Sequence, residues 1–125
     1  MDIRLKEFPF VFEGRTYRLR ANNAVLADVQ EACGGKINAA FSGKRGMKNA
    51  LIFLAAMMTD YADEQSWTDD DGMPLTFTWR GLGRVLRAEE IPAAEIFRLV
   101  LDALTPPKSA AVGENTQGPE EAQGN

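Results

Sequence analysis

The chain has 125 residues, 45% of them hydrophobic, with 14 Lys plus Arg against 18 Asp plus Glu. That length suits one modest domain. It contains no His and a single Cys, Cys33, which removes His-based triads, imidazole metal ligands, an internal disulfide and a multi-thiolate zinc site.

Catalysis would fall to carboxylates, Lys, Tyr or Ser with nothing evident to activate them. The expectation is therefore a non-enzymatic protein without cofactor or metal. The opening Met1-Asp2-Ile3-Arg4 lacks the order of a secretory signal. The longest apolar run, Ala50 to Met58, is nine residues, far short of the ~20 that span a bilayer. With one unpaired Cys, this composition predicts a cytoplasmic protein.

Phe8, Phe10 and Phe12 alternate along one face of a predicted strand. Glu13-Gly14 reads as a two-residue turn, and Tyr17 and Leu19 alternate after it. Together they predict a β-hairpin whose aromatic face must pack on helices, because an isolated hairpin is marginal. Asn22 and Asn23 are N-cap residues for a helix carrying Val25, Leu26, Val29 and Cys33 on one side, stopped by Gly34-Gly35.

Residues 36–46 form a polar connector, followed by a long helix from Met47 to Glu64. One face holds Met47, Ala50, Leu51, Leu54, Met58 and Tyr61, while Ile52, Phe53 and Ala56 add a second. A helix apolar on most sides is central to a core. An acidic, turn-rich loop at 65–76 carries Trp67. Thr78 can cap a short helix from Trp79 to Arg87, with Phe77 stapled onto Leu82. A strand over Leu75–Trp79 competes, and Gly81 and Gly83 weaken the helix.

Pro92 opens a final helix to Leu104, with Ile96, Phe97, Val100, Leu101 and Leu104 inward. Residues 105–125 hold no Leu, Ile, Phe, Met, Trp or Tyr and predict a disordered tail. The expected organisation is mainly α (α+β): a hairpin packed on a bundle of about four helices over residues 1–104, then that tail.

Charge is segregated. Residues 14–48 carry seven basic side chains against Asp28 and Glu31, whereas residues 60–71 carry six acidic ones and no basic one. Two solvated faces that neutralise each other are the simplest expectation; steering of a charged partner or alignment of subunits is the sharper one.

Site motifs mostly fail. Asp69-Asp70-Asp71-Gly72 cannot be an EF-hand, because Trp67 and Thr78 would stand at its first and twelfth positions. Gly43-Lys44 lacks the Gly and Ser/Thr of a phosphate loop. A helix-turn-helix over residues 79–104 would have a recognition helix, 92–104, that exposes Glu95 and Asp102 with Arg98 as its sole cation. Gly43-Lys44-Arg45-Gly46 does match the GXXG loop of KH domains and supplies a rival reading, a small RNA-binding protein.

The order of parts carries more. Gly14-Arg15-Thr16-Tyr17-Arg18-Leu19-Arg20 closes a hairpin that leads into an amphipathic helix, a long Met- and Ala-rich helix and a helix pair from Thr78 to Leu104. This resembles the small tail assembly chaperones of long-tailed bacteriophages and gene-transfer agents, over about residues 8–104. The resemblance implies a non-enzymatic protein that binds the tape measure protein, with the tail tube protein and further copies of itself as other partners. It also implies a frameshifted longer product, and Pro106-Pro107-Lys108 is compatible with a slippery run. The partner-binding candidates are Phe53, Met57, Met58, Tyr61, Trp67 and Trp79. Another phage or prophage structural component, of the tail or head–tail connection, is the nearest alternative.

Overall fold

The computed structural model describes residues 6–35 and 46–104. Strands β1 (Phe8–Phe12) and β2 (Arg15–Leu19) form a two-stranded antiparallel sheet. Phe10 faces Tyr17 and Phe8 faces Leu19 across it, so the alternating rings share one face as expected. Glu13 and Gly14 both take positive φ, 51° and 77°. That conformation matches the strand twist and suits Gly at the second position, although Glu at the first carries a steric cost.

Among the described residues four helices follow: α1 (Asn23–Ala32), α2 (Gly46–Glu64), α3 (Trp79–Val85) and α4 (Ala93–Leu104). A 3₁₀ turn at Ala88–Glu90 separates the last two. The fold is therefore α+β, a hairpin on four helices.

The start of α1 is held by Asn22, whose Oδ1 accepts from the Val25 backbone N–H at 2.9 Å. Its end closes in a Schellman motif, with Gly35 N–H donating to Gln30 O and Gly34 N–H to Glu31 O. Thr78 caps α3 by accepting from Gly81 N–H at 3.0 Å.

The expected helix from Trp79 to Arg87 stops early, at Val85. The Arg87 backbone N–H instead donates to Glu90 Oε1, starting the 3₁₀ turn. The competing strand over Leu75–Trp79 does not form. Thr59 Oγ1 on α2 accepts the Phe77 N–H at 2.8 Å, which ties that stretch to a helix and not to a sheet. Gly83 explains its own presence in α3: a Cβ there would meet Leu51 Cδ1 at 3.3 Å. Its missing side chain brings α3 close onto α2.

Helix α2 is the centre, touching β2, α1, α3 and α4. Asn49 to Ala55, Met57, Met58 and Ala62 are buried along it, so its apolar middle is enclosed on every side. Met47, expected on the inner face, lies in the first turn and is exposed. In α4 the interior is taken by Ile96, Leu99 and Val100. Leu101 and Leu104, expected inward, are 53% and 44% exposed.

The expected disordered tail, 105–125, and residues 36–45 of the expected 36–46 connector lie outside the described residues, so of the Gly43-Lys44-Arg45-Gly46 loop only Gly46 is described, as the first residue of α2.

Asn22 has a second task. Its Nδ2 donates to Asp60 Oδ2 at 2.7 Å, joining the start of α1 to α2. Replacement of Asn22 by Ala removes the cap and this cross-link together and is expected to cost about 1–2 kcal/mol, measured by urea unfolding. Asn22→Asp keeps the cap but sets a carboxylate against Asp60, so it should recover only part of the loss.

Candidate interaction surface

Three surface features stand out against this core. The first is an aromatic cluster joining the hairpin to the end of α2 and the loop beyond it. Tyr17 makes edge-to-face contacts with Trp67, Phe77, Tyr61 and Phe12, at centroid distances of 5.4, 5.6, 6.3 and 6.5 Å. Tyr61 meets Trp67 at 5.5 Å, and Phe12 meets Phe77 at 5.9 Å. Such contacts add about 0.5–1.5 kcal/mol each beyond burial.

The loop is shaped to deliver Trp67. Its N–H donates to Ala62 O, its carbonyl accepts from Leu75 N–H, and Thr68 and Pro74 form a β-bridge. Asp69 Oδ1 accepts from Asp71 N–H and Met73 N–H, both at 2.9 Å. This carboxylate therefore holds the turn. Among the described residues no group of His, Cys, Asp or Glu is arranged to hold a metal ion.

Cations cover the edges of the cluster. The Arg15 guanidinium lies 4.1 Å from the Trp67 ring centroid. Arg20 pairs with Glu64, with its Nε 3.8 Å from Glu7 Oε2. Burial opposes the Arg20 charge, but Glu64, then Glu7 and Asp60, outweigh it and raise its pKa. Part of the basic stretch is thus neutralised by part of the acidic one within the fold.

The second feature surrounds Trp79, half-buried at the head of α3. Lys48 Nζ lies 4.8 Å from its ring centroid and the Arg80 guanidinium 4.7 Å. The third is a stripe on α4. Phe97, Leu101 and Leu104 follow the i, i+4, i+7 spacing of one helical flank, beside the buried face of Ile96, Leu99 and Val100. Phe97 is half-buried and meets Phe53 edge-on at 5.8 Å.

The six partner-binding candidates divide. Phe53, Met57 and Met58 are at most 1% exposed, so they fill the interior and cannot meet a partner. Their place in the middle of α2, where every side is covered, is the reason. Tyr61 and Trp67 are half-buried members of the aromatic cluster, and Trp79 belongs to the separate cationic patch.

Leu101, Leu104, Arg15 and Arg80 were not among the candidates. One signal did exist: α4 carries apolar residues over too wide an arc for a single buried face. Comparison with known proteins returns no match: no family model fits the chain, and neither a curated protein nor a solved structure is significantly similar to it.

Burial raises the Tyr17 pKa above its ordinary 10.0, while the Arg15 charge works the other way. The neutral phenol is favoured in the folded state, so its contribution is complete below the unfolded value. It is lost as pH rises through the raised folded value. Thermal unfolding followed above pH ~10 should show a stability decline that is shallower in Tyr17→Phe.

Proposed function

We propose that this chain is a non-enzymatic binding protein for amphipathic helices. Within that class, the reading best supported is a tail assembly chaperone of the long-tailed phage and gene-transfer-agent type. It would hold the apolar helices of a tape measure protein in the host cytoplasm before tail tube subunits polymerise around it.

The observation that carries this reading is the α4 stripe. Leu101 and Leu104 leave large apolar side chains on the surface at helical spacing, continuous with the half-buried Phe97. A partner helix laid along such a ridge buries its own apolar face in the same contact, which is how helix-in-groove recognition gains affinity. Burial of the half of each Leu side chain still exposed supplies on the order of 1.5–3 kcal/mol in total, a weak contact suited to repetition along a long partner. The hairpin sequence from Gly14 to Arg20 and the Thr78-capped helix pair add the resemblance in order of parts.

The KH-like rival rests on Gly43 to Gly46, of which only Gly46 is described, and no specific observation favours it.

Capture of purified tape measure fragments by the full-length chain tests the reading. Leu101→Asp with Leu104→Asp should weaken capture at least about tenfold, with little change in melting because exposed substitutions usually cost within about ±0.5 kcal/mol. Failure of every fragment across the tape measure protein to bind the unmodified chain overturns it.

A further inference from the structure

Among the described residues, two groups of opposite charge not consumed inside the fold sit at opposite ends of α2. Near its beginning are Lys48 and Arg80, both over the Trp79 ring, with Arg84 one turn further along α3. All three cations are exposed, and none makes an ion pair among the described residues. Beyond its other end are exposed Asp69, Asp70 and Asp71, with Asp63 in its last turn. Asp69 is engaged in holding the loop; Asp70 and Asp71 form no side-chain bond among the described residues.

Lys48 and Asp63 are separated along the helix by on the order of 22 Å, more than two screening lengths at physiological salt. These two groups therefore do not neutralise each other within one molecule.

Each end also carries exposed apolar side chains. Met47 and Val85, the chain neighbours of Lys48 and Arg84, are 51% and 60% exposed. Met73, two positions past Asp71, is 60% exposed. Surface ion pairs alone contribute little, but charge complementarity combined with apolar contact gives both register and area.

We propose that the face formed by Lys48, Trp79, Arg80 and Arg84 docks the acidic loop around Asp70 and Asp71 of a second copy of this chain. The contact is heterologous: each copy presents one of each surface, so association runs head to tail and either closes into a ring or continues as a filament. A nucleic acid is the poorer occupant. Its long polyanion would extend past three cations on a chain of net charge −4, whereas the acidic loop is compact.

Sedimentation velocity of the full chain tests this. At about 10 mM salt, where screening extends to about 30 Å, association should grow with concentration; at about 1 M, where it falls to about 3 Å, the chain should return towards monomer. Arg80→Glu with Arg84→Glu, and Asp70→Arg with Asp71→Arg, should each be folded by circular dichroism and monomeric alone. Mixed in equal amounts they should associate, because each then offers the surface the other lacks.

A wild-type chain that stays monomeric at low salt, or a reversal variant that self-associates as the wild type does, overturns the proposal. So does a face that binds an oligouridylate through Arg80 and Arg84 without any self-association.

Discussion

Burial of α2 on all sides is the constraint from which the remaining structure follows. A helix with Leu51, Ile52, Phe53, Leu54, Met57 and Met58 in its middle has no polar stripe to offer water. It must be covered from several directions at once. Helices α1, α3 and α4 and strand β2 each supply one covering surface. None of these elements is large enough to form a core with any other. Their positions are therefore set by α2 and not by one another. Gly83 of α3, unfavourable for an isolated helix, makes sense in this light. Close approach to Leu51 is worth more than helix propensity in a seven-residue segment.

Legibility in the sequence followed the strength of local signals. The hairpin, the Asn22 cap, the Gly34-Gly35 stop and the span of α2 were readable because turn residues, caps and a long apolar period all acted locally. The end of α3 was not, because Arg87 had to leave the helix for a bond to Glu90 that nothing in the apolar pattern encodes. Which of α4's apolar residues face inward was also hidden. Ile96, Phe97, Leu99, Val100, Leu101 and Leu104 cover more arc than one neighbour can bury, and only α2's position selects among them. The same blind spot misplaced Phe53, Met57 and Met58: an apolar residue looks identical in sequence whether it meets the core or a partner.

Charge behaved differently from hydrophobicity. The basic and acidic stretches were visible from counting alone, yet counting could not tell which members cancel. Arg20 with Glu64 brings parts of the two stretches together at the end of α2. Arg15 is held over Trp67 by ring contact. Among the described residues, what is left uncancelled includes a basic group at one end of the central helix and an acidic group at the other. Net charge thus understates the field around the molecule, which is closer to that of a dipole than of a monopole.

The hairpin's attachments have a consequence for how the chain reaches this state. It precedes the elements that support it in the chain. Tyr17 rests on Tyr61, Trp67 and Phe77, Arg20 on Glu64, and Lys6 on Asp102, 96 positions away. A two-stranded ribbon has little stability of its own, so during synthesis these strands wait, open and aromatic, until the second half of the chain has emerged. The hairpin cannot be fixed in its native place before those later residues are made, and closing so long a loop carries an entropic cost. A truncation that spares every residue of the hairpin but removes α4 would still leave its outer edge without the Asp102 anchor. The earlier strands of this fold are thus completed by side chains that the later half supplies.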